Sequence, residues 1–372
     1  MTDLESIAGE WAELAERVEA SPFLRPGWVM PWLAAFGCGT PEAIVVRCEG
    51  QLAGVLPMQR RGRRLYSAAN WHSPVFGPVV AGEPARALLL QHLFARGRHS
   101  VELTLLDGDG SWIAESARDA GRLVVDRTIA SNPVIPLAGS FEAYESALSR
   151  NRRRSLRRGL RALEARGDVS FDVHEGAAGL DRAMAELFEV EASGWKGRAG
   201  TAMASLPETE RFYAEVARWA AANGWLRLSF LRLDGRPIAC DLSIEFGGTA
   251  YSLKSGYDEA YGAVGPGALL LREQVRDCFD RGLHALDLLG HVDPFKLSWT
   301  DQAGARMRVE TFGRTPVGLL HWSRVATREG VRPAVSWIRG RLRDANARAH
   351  RALGSLAAQW EVVGLESAPG LL

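Results

Sequence analysis

The chain has 372 residues, enough for two domains of ordinary size or one large one, and its 47% hydrophobic and 24% charged content is that of a globular protein with a substantial core. A net charge of +1 excludes a whole-molecule field that would commit it to nucleic acid or membrane, although the charge is unevenly spread. The cysteines Cys38, Cys48, Cys240 and Cys278 form no C-x-x-C pair, which argues against a zinc site or a disulfide frame and for reduced thiols; no metal is expected.

The N-terminal stretch MTDLESIAGEWAELAERVEA is acidic and amphipathic instead of basic then apolar, and no apolar run of about 18 residues follows, so a cytoplasmic chain without a transmembrane segment is expected. Residues 4–19 read as a helix, and the prolines Pro22 and Pro26 open a second one through Trp32 to Phe36. A hairpin follows, AIVVRC and QLAGVLPMQ around Glu49-Gly50, then NWHSPVFGPVV, a helix over 84–96 and a strand over 100–106. Ser140 is positioned to cap one long helix over 141–166, ended by Gly167 and striped by Phe141, Tyr144, Leu148, Leu156 and Leu163. Within it, RNRRRSLRRGLR holds seven arginines, which on a helix cannot all face one side. Three readings stay open for this run: a solvated basic face, a surface for phosphates of an acceptor or coenzyme, or an RNA contact. A second basic segment, 324–351, reads as a terminal helix pair facing solvent or lying on acidic lipid, and residues 366–372 as frayed.

The most patterned stretch runs from Trp225 to Trp299. WLRLSFLRLD turns at Gly235 into RPIACDLSIEF, Gly247-Gly248 turns that strand into TAYSLKSGYD, and GAVGPG leads into the helix ALLLREQVRDCFDRG, the short strand HALDLLG and a polar helical segment. The first hairpin echoes the one around Gly235 at an offset of about 185 residues, which reads as an internal repeat.

Three strands, a glycine-rich loop, a helix and a strand follow the order of the second half of a GNAT N-acyltransferase. Trp195-Lys196-Gly197, the KSGYD of Lys254 to Asp258, Pro266-Gly267, the DLLG of Asp287 to Gly290, and Lys296 resemble the CelD/BioF2-like branch of that family, relatives of the FemAB group. The resemblance implies an α/β fold, a mixed sheet in tandem GNAT-like domains. The expected divisions are a degenerate domain at 1–139, a connecting basic helix at 140–167, the acetyltransferase domain at 168–315 and a helical extension at 316–372. It also implies that acetyl-CoA or another acyl-CoA is the co-substrate, its pyrophosphate held by loop and helix-start amides. Ser255, Gly256, Gly265, Gly267, Ala268 and Leu269 are the residues so implicated.

Acyl transfer needs a neutral amine, donors for the oxyanion and a proton for the thiolate. With Gly247-Gly248 as the turn, simple pairing sets Asp241 opposite Lys254, on a face shared with Ser243 and Glu245; this is either an acceptor cleft or an ion pair on a solvated sheet surface. Asp241, Lys254, Tyr257 and Asp287 are the catalytic candidates, and Trp195, Lys196, Glu245, Asp258 and Lys296 those for substrate. Asp258 reads first as a turn former, and Asp287, set among leucines, needs a partner such as Lys254 or Lys296. The expected activity is transfer of an acyl group to an amine on a small-molecule or glycan-precursor acceptor such as a sugar nucleotide. The rivals are a FemAB-like transferase that uses aminoacyl-tRNA, the one case implying nucleic acid, and a non-catalytic accessory of exopolysaccharide or cellulose synthesis.

Overall fold

The computed structural model describes residues 3–95, 100–108, 110–194, 200, 202–328 and 360–366. The chain divides into two units, Met1–Ala130 with Ala305–Leu372, and Ser131–Gly304. No described helix is long and apolar enough to cross a membrane.

The first unit begins with helices α1 (Asp3–Ser6), α2 (Ala8–Arg17) and α3 (Pro26–Phe36), the last two burying Trp11, Trp28 and Trp32. Strands β1 (Thr40–Cys48), β2 (Gln51–Arg61), β3 (Arg64–Ser67) and β4 (Val79–Val80) follow, then α4 (Glu83–Ala95), β5 (Ser100–Asp107), α5 (Ser111–Asp119) and β6 (Leu123–Pro136). The β1–β2 turn places Glu49 and Gly50 at φ 50 and 80, the backbone that joins two right-twisted strands most tightly.

The second unit contains α6 (Phe141–Ala147), α7 (Arg150–Glu164), β7 (Val169–His174), α8 (Leu180–Ala192), α9 (Pro207–Ala222), β8 (Leu226–Leu233), β9 (Arg236–Phe246) and β10 (Thr249–Tyr257). A 3₁₀ turn (Glu259–Val264) then leads to α10 (Pro266–Asp280), β11 (Ala285–Asp287) and α11 (Pro294–Leu297). Its sheet has the order β6-β11-β10-β9-β8-β7, with only the β10–β11 pair parallel. Asp234 and Gly235 turn β8 into β9 at φ 50 and 77, nearly the angles of Glu49 and Gly50. The helix expected over 141–166 is two helices. Leu148 leaves helical geometry (ψ 151) to enter the core, and the Ser149 hydroxyl accepts the Arg152 N–H, starting a fresh helix there.

The remaining elements return to the first unit: β12 (Ala303–Phe312), α12 (Pro316–Arg328) and β13 (Trp360–Glu366). β12 pairs with β5 and β13 with β1, both antiparallel, giving the order β13-β1-β2-β3-β5-β12. The extension expected to be helical thus holds both a helix and a strand among its described residues; most of 324–351 lies outside them. The units part within β6 and β12 because Val134, Ile135 and Pro136 join β11, whereas β12, which follows β11 in the chain, joins β5. The architecture is a mixed α/β fold with large mixed sheets, and both units show the same connectivity: hairpin, third strand, helix and a parallel strand.

Candidate active site

The β9–β10 pairing runs as the sequence predicts from Thr249↔Phe246 to Ser252↔Ser243. There a β-bulge inserts Leu253, so Lys254 stands opposite Leu242 and Ser255 opposite Asp241. Asp241 and Lys254 are therefore not the cross-strand neighbours expected. Pairing by number assumes an unbroken ladder, and a slip of one residue turns the following side chains to the other face.

Asp241 is 1% exposed and accepts hydrogen bonds from the Ser243 and Ser252 hydroxyls, which excludes the solvated surface. Its face of the sheet is roofed by α10. On that face Glu245 pairs with Arg281, at the C-terminus of α10, at 2.7 Å, and Arg227, opposite Ser243, pairs with Asp277 of α10 at 2.6 Å. Burial raises the Glu245 carboxyl despite Arg227. It is the contact with Arg281 that ties this residue, expected to meet substrate, to the end of the helix. Burial pushes the Cys278 thiol of α10 up to about 12, with Asp277 and Glu245 adding to it.

The other face is covered by α8 and α9. Gly256 lies opposite Cys240, whose thiol donates to the Leu187 carbonyl, and a Cβ on Gly256 would fall 2.7 Å from the Glu191 Cα. Gly256 is thus the point where β10 presses against α8. Lys254, two residues earlier on this face, has its Nζ 5.3 Å from the ring centroid of buried Tyr213 in α9. Glu191, 2% exposed, accepts the Met203 N–H at 2.7 Å. Sequence reasoning missed Glu191 and Tyr213. An acid continuing the buried stripe of Leu180, Met184 and Leu187 was the available signal for Glu191. Along the same side runs a groove of about 860 Å³ reaching Ser193, Pro237 and Asp258. Its Arg232 and Arg236 are already tied to Asp172 and Asp258.

β11 pairs with β10 only from Thr249↔Ala285 to Tyr251↔Asp287, while β10 continues to Tyr257. Residues Ser252 to Tyr257 therefore carry a strand edge beyond the end of the parallel ladder. Asp287, 6% exposed, accepts the Leu289 N–H at 2.8 Å, and Lys296 Nζ donates to the Leu289 carbonyl at 2.6 Å. Both thereby hold the turn after β11. Tyr257 is 37% exposed at the end of the open edge, with its ring beside Gly267.

The edge leads straight to a helix start. The Asp258 carboxylate accepts the Ala260 N–H and an Arg236 N–H, both at 3.0 Å, so it is a turn former. Gly265, at φ 68, takes a left-handed conformation that other residues adopt at a cost, and it offers α10 no side-chain cap. Its carbonyl accepts from the Ala268 and Leu269 amides, Pro266 has no N–H, and no acid occupies the first turn, which leaves the Gly267 amide for an outside acceptor. The Leu269 side chain is core, 3% exposed. Behind the loop, a Cβ on Gly159 would meet the Val264 carbonyl oxygen at 2.3 Å, so α7 is seated against the turn that sets up α10. Trp195 and Lys196 lie outside the described residues.

In α7, Arg152 reaches Ser298 and the rings of Phe295 and Trp299, and Arg153 donates to the Leu148 carbonyl. Arg150, Arg154, Arg157, Arg158 and Arg161 are exposed and fall within an arc of about 100°, opposite Leu156, Gly159 and Leu163. The basic run is thus two anchoring residues and a solvent-facing stripe.

Among the described residues, this geometry brings a strand edge that outruns its parallel ladder together with a helix start that has no side-chain cap, with polar clusters on both faces of the sheet. Residues 150–297, from the first residue of α7 to the last of α11, match the family described as acetyltransferase (GNAT) domain. Several solved structures share the fold. FemX is 12% identical over 85% of this chain and 98% of its own, with a TM-score of 0.55. The C-terminal domain of a putative lysylphosphatidylglycerol synthetase from Agrobacterium fabrum is 12% identical over 87% and 96%, with a TM-score of 0.54. L-PGS from Bacillus licheniformis is 13% identical over 82% and 97%, with a TM-score of 0.51. No curated protein matches the sequence.

Proposed function

We propose that the second unit is a GNAT-type acyltransferase of the CelD/BioF2-like kind, with the first unit its degenerate counterpart. It moves an acetyl or other acyl group from acyl-CoA to an amine on a sugar nucleotide or polysaccharide precursor. The observation that carries this reading is the open edge of β10 leading to the uncapped start of α10. An extended thioester arm can hydrogen-bond to a strand edge, and a pyrophosphate is favoured at unsatisfied helix amides and the positive end of the helix dipole. The amine attacks the thioester carbonyl, the C–N bond forms as the C–S bond breaks, the amine gives up a proton and the thiolate takes one. Tyr257, at the end of the edge, is assigned as proton donor to the thiolate. Asp241, linked to the edge through Ser252, is assigned as the group that draws the amine proton. Ser255, Gly265, Gly267 and Ala268 contribute to the coenzyme subsite, whereas Gly256 and Leu269 serve it through packing and backbone.

A second reading keeps the site and changes the donor to aminoacyl-tRNA; the exposed arginine stripe of α7 favours it. A thermal-shift screen of acyl-CoAs, aminoacyl-tRNA and nucleotide sugars separates the two, since a ligand that binds only the folded state raises the unfolding midpoint. A shift with acyl-CoA that is absent in Gly267→Asp supports the first reading. A salt-sensitive shift with aminoacyl-tRNA and none with any acyl-CoA replaces it with the second.

A further inference from the structure

Lysine and arginine together number 45, yet Lys196, Lys254 and Lys296 are the only lysines, and all three fall within residues 150–297. Arginine is a rigid, permanently charged fork, whereas lysine presents one compact ammonium on a flexible stem. The three lysines place that smaller donor within the stretch that carries the site, among many arginines. Lys296 spends its ammonium on the Leu289 carbonyl. Lys254 rises from the β-bulge at Leu253, on the part of β10 that runs beyond the parallel ladder.

Its surroundings favour a held cation. The ring of Tyr213 lies under the ammonium, and an aromatic face attracts positive charge. Burial, and then the charge of Glu191, push the Tyr213 phenol far above its ordinary value, so it stays neutral. Glu191 is buried on the same side, and a buried carboxylate costs the fold unless hydrogen bonds and a cation accompany it. The Met203 amide supplies one such bond. The missing side chain of Gly256 lets β10 sit against Glu191, next to the position from which Lys254 projects.

We propose that Lys254 binds an anionic group of the acceptor, a phosphate or carboxylate near its amine, on the α8 side of the open edge, and that Glu191 is the positioning residue that fixes the ammonium. The proposal rests on the acyltransferase reading of this site. With its ammonium set over the Tyr213 ring, Lys254 acts here as a clamp.

Reductive ¹³C-methylation of the intact chain labels its three lysines and the α-amino group, and the Lys254 signal is the one absent from Lys254→Arg. Inorganic phosphate and acetate, titrated separately, distinguish the two anion classes. The expected result is a saturable Lys254 shift with one of them, and an apparent dissociation constant about tenfold higher in Glu191→Gln, with its unfolding midpoint recorded alongside. No saturable shift in the wild type with either anion overturns the clamp. An unchanged response in folded Glu191→Gln overturns the positioning role. Should Glu191→Gln fail to fold, calorimetry of the better-binding anion with Lys254→Gln decides the clamp by itself, and retained affinity overturns it. Coenzyme A titrated into the same samples reads the donor side: coenzyme binding with a silent Lys254 removes this inference alone, whereas a responding Lys254 without coenzyme binding removes the acyl-CoA reading and leaves an anion site whose assignment to the acceptor falls with it.

Discussion

Replacing Gly159 by Ala places a methyl group where α7 meets the loop before α10. In an open helix this change stabilises by roughly 1 kcal/mol, because Gly loses more backbone entropy on folding. Here the new Cβ would lie 2.3 Å from the Val264 carbonyl oxygen, about 1 Å or more inside ordinary contact. The obstacle is backbone, so no rotamer change relieves it, and the cost belongs at the upper end of the roughly 1–3 kcal/mol for overpacking. The net expectation is a loss of about 1–2 kcal/mol, or roughly 0.5–1 M in urea midpoint for an m-value near 2 kcal/mol/M. Val264 precedes the N-cap Gly265, so the displaced turn should also weaken coenzyme A binding measured by calorimetry. Ser155→Ala, on the exposed side of the same helix, is the control and should be neutral or slightly stabilising. A Gly159→Ala protein more stable than wild type would refute the close approach, and with it the idea that α7 holds the helix start in place.

Gly267→Asp sets a carboxylate against the proposed pyrophosphate position and should abolish coenzyme A binding while leaving the unfolding free energy within about 1 kcal/mol of wild type; unchanged affinity in calorimetry removes that assignment. Asp241→Asn should lower turnover by roughly 10²-fold or more, and Lys254→Met should raise the acceptor KM. Since the bulge directs these residues to opposite faces, the double mutant should be additive within about 0.5 kcal/mol, and coupling well above about 1 kcal/mol would contradict the register. With its thiol pushed up to about 12 by burial, Cys278 should stay unalkylated at pH 8 in the native protein while exposed Cys38 reacts, which peptide mapping reads directly.

The hairpins, the glycine-led helix and the repeat were legible because turn chemistry and alternation are local: Glu49-Gly50, Asp234-Gly235 and Gly247-Gly248 announce themselves within four residues. What escaped depends on contacts distant in sequence. β6 and β12 are long strands with polar interiors, and their partners, β11 and β5, are set by which sheet each joins. The inserted Leu253 left no mark in an alternating stretch, yet it moved Lys254 off the face of Asp241. The single helix expected over 141–166 hid its break because Leu148 fits the helical stripe as well as it fits the core. Asp258 was legible as a turn former, whereas Glu245 was not legible as an anchor, since Arg281 lies on another element.

The two units share a connectivity and differ locally at the third strand and at the helix start that follows it. In the second unit β10 runs on to Tyr257 after its parallel ladder stops at Tyr251, and a helix start with no acid in its first turn follows. In the first, β3 ends at Ser67, one residue past the last parallel pair, Tyr66↔Glu102. Phe76 of the next loop, 4% exposed, then bridges to Leu106 and donates its N–H to the Leu105 carbonyl, so the chain occupies its own strand edge. The helix that follows opens with Glu83, an acid in the first turn that pairs with Arg86 and faces the positive end of the dipole. Under the proposed function, the Phe76 bridge and the acid at the helix start set the first unit apart from the coenzyme subsite, so acyl-CoA binding should occur with a stoichiometry of one per chain. Calorimetry measures that number, and a value of two would show that neither Phe76 nor Glu83 closes the first unit.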